Sequence, residues 1–412
     1  MGCTYSVYKK KKSSFPEVVV LTPSIRIPVQ SDLQRALKGL VPKDLADKLS
    51  SLRNQIVLVA EDTDGSAIAE LRRALNEYLS VLIGLTKKEY GLEGLIEFKW
   101  KNFEVGKQDS SISNVWFEVL SCVHFMAMLT LSEADSLMIP KDHSDSGFRV
   151  VSADSKREAI DLLLKASGYL EFCVRKILPQ IPAETKKILP HDLQEGVLEA
   201  IAIQALGQGT EIQLGLAVDS QKATLSVKRR MACEQLIYFS QAYHSLSECD
   251  FNQGHGKKHL RFIKWKFLES KATAYYYHGL ILDKGNEPSS HILAVSCFLA
   301  AEELLQESKK ACLSFCLAAP VTRAPPIWGV MKLLNQKIPE VASKKYQMYG
   351  YLLEQEKGLH QALPDLPEFQ LSLHPDEYEL PEIDPAWDSK NWETLGQPLK
   401  EHLRDSDENP TD

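Results

Sequence analysis

The chain has 412 residues, 44% of them hydrophobic and 25% charged, with a formal net charge of −7. That length and apolar content build a sizeable core and exclude global disorder. Twelve acids against three bases lie between Asp376 and Asp412, while Lys9 to Lys12 are all basic; the body between is nearly neutral, which excludes the broadly basic character of a nucleic-acid binder.

The first residues, MGCTYSVYKKKKSSF, match the N-myristoylation pattern M-G-x-x-x-[ST], with Gly2 as acceptor and Ser6 completing it. Cys3, beside the acylated glycine, is the place for a second, palmitoyl chain. A single myristoyl group binds a membrane with a constant on the order of 10⁴ M⁻¹, so stable attachment needs a second signal. Cys3 supplies one, and the run Lys9, Lys10, Lys11 and Lys12 another, at up to about 1 kcal/mol per lysine near an anionic surface. The plain alternative is an unmodified flexible arm. Pro16 and Glu17 follow in place of an apolar stretch, so no secretory signal is read here.

EVVVLTPSIRIPV (17–29) is β-rich and SDLQRALKGL (31–40) has helical spacing. EDTDGSAIAELRR (61–73) opens like a calcium loop but places Arg73 where a bidentate Glu is required, so it is no EF-hand. Asp62 or Asp64 instead reads as the N-cap of a helix over 65–83. In GLIEFKWKNF (94–103), Ile96, Phe98 and Trp100 alternate with Glu97, Lys99 and Lys101, as in a half-buried strand. VWFEVLSCVHFMAMLTL (115–131) is the most apolar stretch, yet it carries Glu118 and His124 and reads as a buried helix rather than a membrane span. A further helix is predicted over 155–178.

No proline falls between Pro190 and Pro288, and three helices of about six to seven turns are predicted there, over 192–218, 221–246 and 257–282. Gly285 reads as a C-cap and Pro288-Ser289-Ser290 opens the next helix, over 291–311. From about Pro364 the sequence turns proline-spaced and acidic, PDLPEFQLSLHPDEYELPEIDPAW, which suits an extended segment lying across the body; the last residues, LKEHLRDSDENPTD, read as disordered. The pattern is an all-helical, solenoid-like body with a small sheet near its N-terminal end, although no 34-residue repeat signature is present.

Chemistry is hard to find in this sequence. The eight cysteines include no C-x-x-C pair and mostly sit in apolar helical patterns, a reduced, intracellular usage. Gly207, Gly209 and Gly215 in LGQGTEIQLG do not form a dinucleotide fingerprint and read as points of close helix contact. His244, Cys249, His255 and His259 cluster in sequence, but at no spacing of a closed zinc site. There is no G-x-S-x-G, H-E-x-x-H or phosphate-binding loop. The chain is therefore read as non-enzymatic, with no cofactor or metal. Lys228-Arg229-Arg230 and the row Lys257, Arg261 and Lys264 read as solvated faces, or as contacts for headgroups or an acidic partner.

Four stretches carry a resemblance to the Bro domain family, the ESCRT-associated domain at the N-terminus of Alix: VVVLTPSIRIPVQSDLQRALKGLV, LIEFKWKNF leading into SNVWFEVLSCVHFMAMLTLSEA, LGQGTEIQLGLAVDSQKATLSVKRRMACEQLIYF, and KFLESKATAYYYHGL. The resemblance implies a mainly α, boomerang-shaped domain over 17–375 with a tetratricopeptide-like core of helix hairpins and a small N-terminal β-sheet. A lipidated basic arm over 1–16 precedes it, and an acidic, largely disordered tail over 376–412 follows. It further implies a concave face that takes the amphipathic C-terminal helix of the main filament-forming ESCRT-III subunit. Carried over, the receiving residues are Leu214, Val227 and Met231; Val227 and Met231 are i and i+4 on one face, and the other reading of all three is core. The V-shaped domain and proline-rich tail of Alix are not found, nor the C-terminal prenylation cysteine of one short stand-alone member. The expected function is a lipid-anchored adaptor on the cytoplasmic face of endosomal or plasma membranes. The alternative is a membrane-tethered scaffold of the same fold whose groove takes an unrelated partner.

Overall fold

The computed structural model describes residues 15–23, 25–61, 67–102, 109–140, 151–249, 255–327, 329–355 and 363–388. Gly2, Cys3, Lys9 to Lys12, Asp62 and Asp64 lie outside the described residues. The N-terminal part holds β1 (Arg26–Pro28), α1 (Leu33–Ala36), α2 (Lys43–Glu61), α3 (Ala67–Leu82), β2 (Phe98–Asn102) and β3 (Ser110–Ile112). The body holds α4 (Val115–Leu137), α5 (Ala153–Phe172), α6 (Ala183–Lys187), α7 (Glu195–Asp219), α8 (Leu225–Ser247), α9 (His255–Leu282), α10 (Pro288–Leu317) and α11 (Gly329–Gln355).

Helix starts follow local chemistry. The side chains of Asn114, Ser152 and Thr224 cap α4, α5 and α8 by accepting from N–H groups three residues on, each worth about 1 kcal/mol. Pro288 begins α10, where its missing N–H costs nothing. The helix predicted over 31–40 shrinks to four residues because Gly39 takes a φ of 81° and Pro42 follows. Helices α2 and α11 were not foreseen.

The sheet runs β1-β2-β3, antiparallel throughout, with Arg26 opposite Asn102 and Phe98 opposite Ile112. Only Arg26–Pro28 of the β-rich lead-in pairs as strand. Upstream the chain is held by side chains instead: Gln208 Nε2 donates to Val19 O at 2.6 Å and Gln204 Nε2 to Leu21 O at 2.9 Å. Trp100 is fully buried and donates to Glu118, which also accepts from Arg53 at 2.9 Å and Tyr78 at 3.1 Å. This explains the Glu in the apolar helix: a buried carboxylate needs such a shell. Helix α4 is long and apolar enough to cross a membrane, and 89% of its apolar window is buried within the fold.

From α4 onward each helix packs on the next: α4 on α5, α5 on α7, then α7, α8, α9, α10 and α11 in turn. Gly207 permits the close approach of α8, since a Cβ there would meet Tyr238 and Phe239 at 3.2 Å; Gly215 faces Val330 of α11. Gly209 lies under Leu373, outside the helical stack.

Leu373 belongs to an extended strap, residues 363–388, that crosses the body and ends in a 3₁₀ turn at Pro385–Asp388. Asp376 N donates to Leu164 O of α5 at 3.1 Å, Tyr378 stands edge-on to Tyr169 and Phe172, and Trp387 is buried over Gly84. Residues 376–388 fall in the overlap of the two sequence expectations, an extended segment across the body and a largely disordered tail over 376–412, and here they are packed. The apolar side chains spaced among their acids provide the burial that the acidic composition concealed.

Candidate partner-binding face

Val227 and Met231 share one face of α8, as their spacing requires. Val227 is 40% exposed, and Met231 is half-buried against the second hydrophobic cluster, where α7, α8, α9, α10 and α11 converge. Leu214 does not join them. It is 2% exposed in that same cluster, because α7 packs against α5, α8 and α11 and buries most of its length among them. Leu214 is therefore removed from the receiving surface.

The strap takes its place. Arg230 donates to Gln370 O at 3.3 Å and to Glu234 Oε1 at 2.7 Å. The buried Glu234 carboxylate accepts from Ser372 N at 3.0 Å and Ser372 Oγ at 2.5 Å. Tyr238 donates to Leu373 O at 2.7 Å, and burial raises its phenol to about 12, so it stays a donor. The strap thus lies along α8 from Arg230 to Tyr238. Met231, Leu366 and Phe369 all pack against the second cluster, and Val227 stays exposed one turn before Met231. Arg229 stacks over Phe369 at 5.8 Å and lies 3.4 Å from His278; burial, and then this guanidinium, hold His278 below its ordinary value.

The face is therefore an apolar edge with a cationic rim of Lys228, Arg229 and Arg230. Phe369, Glu234 and Ser372 were missed from sequence. The signal was present in EFQLSL: Phe369, Leu371 and Leu373 alternate with exposed residues, the period of an extended segment laid on a surface.

The histidine and cysteine cluster does not assemble. His259 is buried and bonded to Gln204 at 2.7 Å, His244 pairs with Glu248, and Cys249 donates to Ser245 O. Among the described residues no group of three or more His, Cys, Asp and Glu is placed to hold a metal. Lys257 and Lys264 are exposed, while Arg261 is half-buried and donates to Ser314 O at 3.1 Å.

No family model matches the chain. A BRO1 domain-containing protein BROX homolog of Caenorhabditis elegans is 25% identical over 202 residues, 44% of this chain and 45% of that protein. A crystal structure of ALIX in complex with the SIVmac239 PYKEVTEDL late domain superposes with a TM-score of 0.63 at 14% identity, covering 90% of this chain and 50% of that one. A structure of the Bro1 domain, described as the basis for endosomal targeting, matches at TM-score 0.55 and 15% identity, with 93% and 100% covered. The chain folds as a Bro domain. The ALIX BRO1 CHMP4C complex matches this chain as well, at TM-score 0.55 and 15% identity over 90% of this chain and 96% of that one. The chain spans about half the length of ALIX and of the BROX homolog. At such identities the solved structures carry the fold; the edge at Val227 and Met231 rests on this chain's own geometry.

Proposed function

We propose that this Bro domain is a lipid-anchored adaptor that binds an amphipathic C-terminal helix of an ESCRT-III filament subunit in endosomal sorting. The observation that carries the reading is the apolar edge of Val227 and Met231 on α8, rimmed by Lys228, Arg229 and Arg230, with Phe369 of the strap beneath Arg229. An edge of this kind suits a helix with apolar anchors three and four residues apart and acids beside them. The BRO1 domain of ALIX, which shares the fold, forms a complex with CHMP4C.

Anchoring is assigned to Gly2 and Cys3, with Lys9 to Lys12 on the anionic cytoplasmic face of endosomal or plasma membranes. A tethered domain meets membrane-assembled filaments at raised effective concentration, so the two halves of the function reinforce each other.

The test is the affinity of the full chain for a peptide of that C-terminal helix, wild type against Met231→Asp, with folding checked by circular dichroism. Binding in the micromolar range that falls on the order of tenfold or more supports the reading, since about 1.4 kcal/mol of lost apolar contact gives that factor. A folded wild-type protein that does not bind refutes it. Membrane fractionation of Gly2→Ala tests the anchor separately.

A further inference from the structure

Four large apolar side chains stand in water along one edge of the domain. Leu313 and Leu317, on the last turns of α10, are 56% and 63% exposed; Val321 and Ile327, on the link between α10 and α11, are 55% and 52% exposed. Leu313 and Leu317 are i and i+4 and share a helix face. Leu313 and Ile327 line one cavity, which brings the end of the helix and the link together. Large apolar side chains exposed together within one short stretch mark an interaction site more often than isolated leucines do.

The link is not slack. Lys258, buried on α9, donates to Ala318 O at 3.4 Å, to Thr322 Oγ1 at 3.2 Å and to Pro320 O, while Thr322 N donates to Cys316 O at 2.9 Å. Yet residues of the link stand off the body over two cavities of about 370 and 310 Å³. The link is pinned in a fixed shape that turns Val321 and Ile327 outward, without using them to fill the core.

Charge selects the occupant. Lys309 and Lys310 are exposed one turn before Leu313, and Arg323 is exposed between Val321 and Ile327. Arg261 is fastened to Ser314 O. The carboxylates inside the nearer cavity face inward to partners of their own: Glu211 and Glu269 bind Lys266 at 2.8 and 3.1 Å, and Glu17 binds Lys156 at 2.8 Å. On α10, Glu303 and Glu307 lie further from the edge in sequence than the lysines. Apolar side chains bordered by cations fit a bilayer with anionic headgroups: the leucines enter the acyl boundary, and the ammonium and guanidinium groups stay among phosphates. Phe15 lines a cavity together with Pro320, Arg323 and Pro325 of the link.

We propose that this edge is a docking surface for an anionic phospholipid bilayer, with Leu313, Leu317, Val321 and Ile327 as the inserting side chains and Lys309, Lys310 and Arg323 as headgroup contacts. It is separate from the α8 face and requires no acylation of Gly2.

The test uses the full chain carrying Gly2→Ala, floated with vesicles of phosphatidylserine and phosphatidylcholine or of phosphatidylcholine alone. Binding is expected only with phosphatidylserine, and Leu313→Ser and Leu317→Ser are each expected to weaken it on the order of tenfold, the factor for withdrawing one leucine from an apolar phase. Both leucines are more than half exposed, so these variants keep the fold, and α8-face peptide binding serves as the control. A parent protein that does not float, or serine variants that float equally well, overturn the proposal. A solution dimer that the same substitutions dissociate also overturns it, by showing a second copy of the chain on this edge.

Discussion

Trp387→Ala should release the end of the strap without unfolding the domain. The indole is 1% exposed, stacks on Tyr90 at 5.6 Å, donates to Val81 O at 2.8 Å and fits against Gly84, where a Cβ would come within 2.0 Å of the ring. Truncating a buried aromatic costs about 3–5 kcal/mol. The rest of the strap end keeps one backbone bond to α3, Asp384 N to Ser80 O at 3.0 Å, an ion pair with the half-exposed Lys48 of α2, and the partly buried Leu380 and Ile383. An exposed pair of that kind contributes at most about 1 kcal/mol. Docking of the strap end should therefore weaken by a factor of roughly 10²–10⁴, read by hydrogen exchange as lost protection of Asp384 and Trp387 while the α4 amides keep theirs. Gly84→Ala should do the same from the other side of the contact, and the double variant should be no worse than either single one, because both remove the same interaction. Unchanged exchange at the strap end, or equal loss of protection in α4, would refute the reasoning.

Burial pushes His124 down to about 4 and His259 to about 3. The unfolded chain therefore binds more protons below pH 6.5, and stability present above that pH is lost as pH falls toward 4. Between pH 7 and pH 5 the two groups together should cost about 4 kcal/mol, measured by denaturant titration, with His124→Leu flattening about half of the dependence; a variant with the wild-type pH slope would exclude His124 as a source. Leu214→Ala should lose about 2–5 kcal/mol as a core truncation, whereas Val227→Ala should stay within about 0.5 kcal/mol as a surface change; similar values for both would contradict the placement of Leu214 in the core.

Much of the helical body was legible in the sequence because apolar spacing and punctuation agreed there: the proline-free stretch from Pro190 to Pro288 became α7, α8 and α9, and Pro288 began α10. Helix α11 escaped notice, with Pro339 in its interior obscuring the pattern that packs Leu334, Ile338 and Ala342 inward. The lead-in reads as strand by composition, but Gln204 and Gln208 satisfy its carbonyls from nearly two hundred residues away, which local propensity does not register. The candidate face was half legible. Helical spacing put Val227 and Met231 together correctly. It could not tell that Leu214 lies on a helix buried along most of its length, nor that Glu234 is buried to receive the strap.

The contact between Val81 and Trp387 spans 306 residues of sequence. At the ribosome, α3 and the bare surface over Gly84 are complete long before their indole is made. Synthesis at about 5–20 residues per second leaves that apolar notch uncovered for roughly 15–60 s. The domain is therefore born with an open seam that a segment translated some three hundred residues later closes, and that interval is when a chaperone has most reason to occupy it.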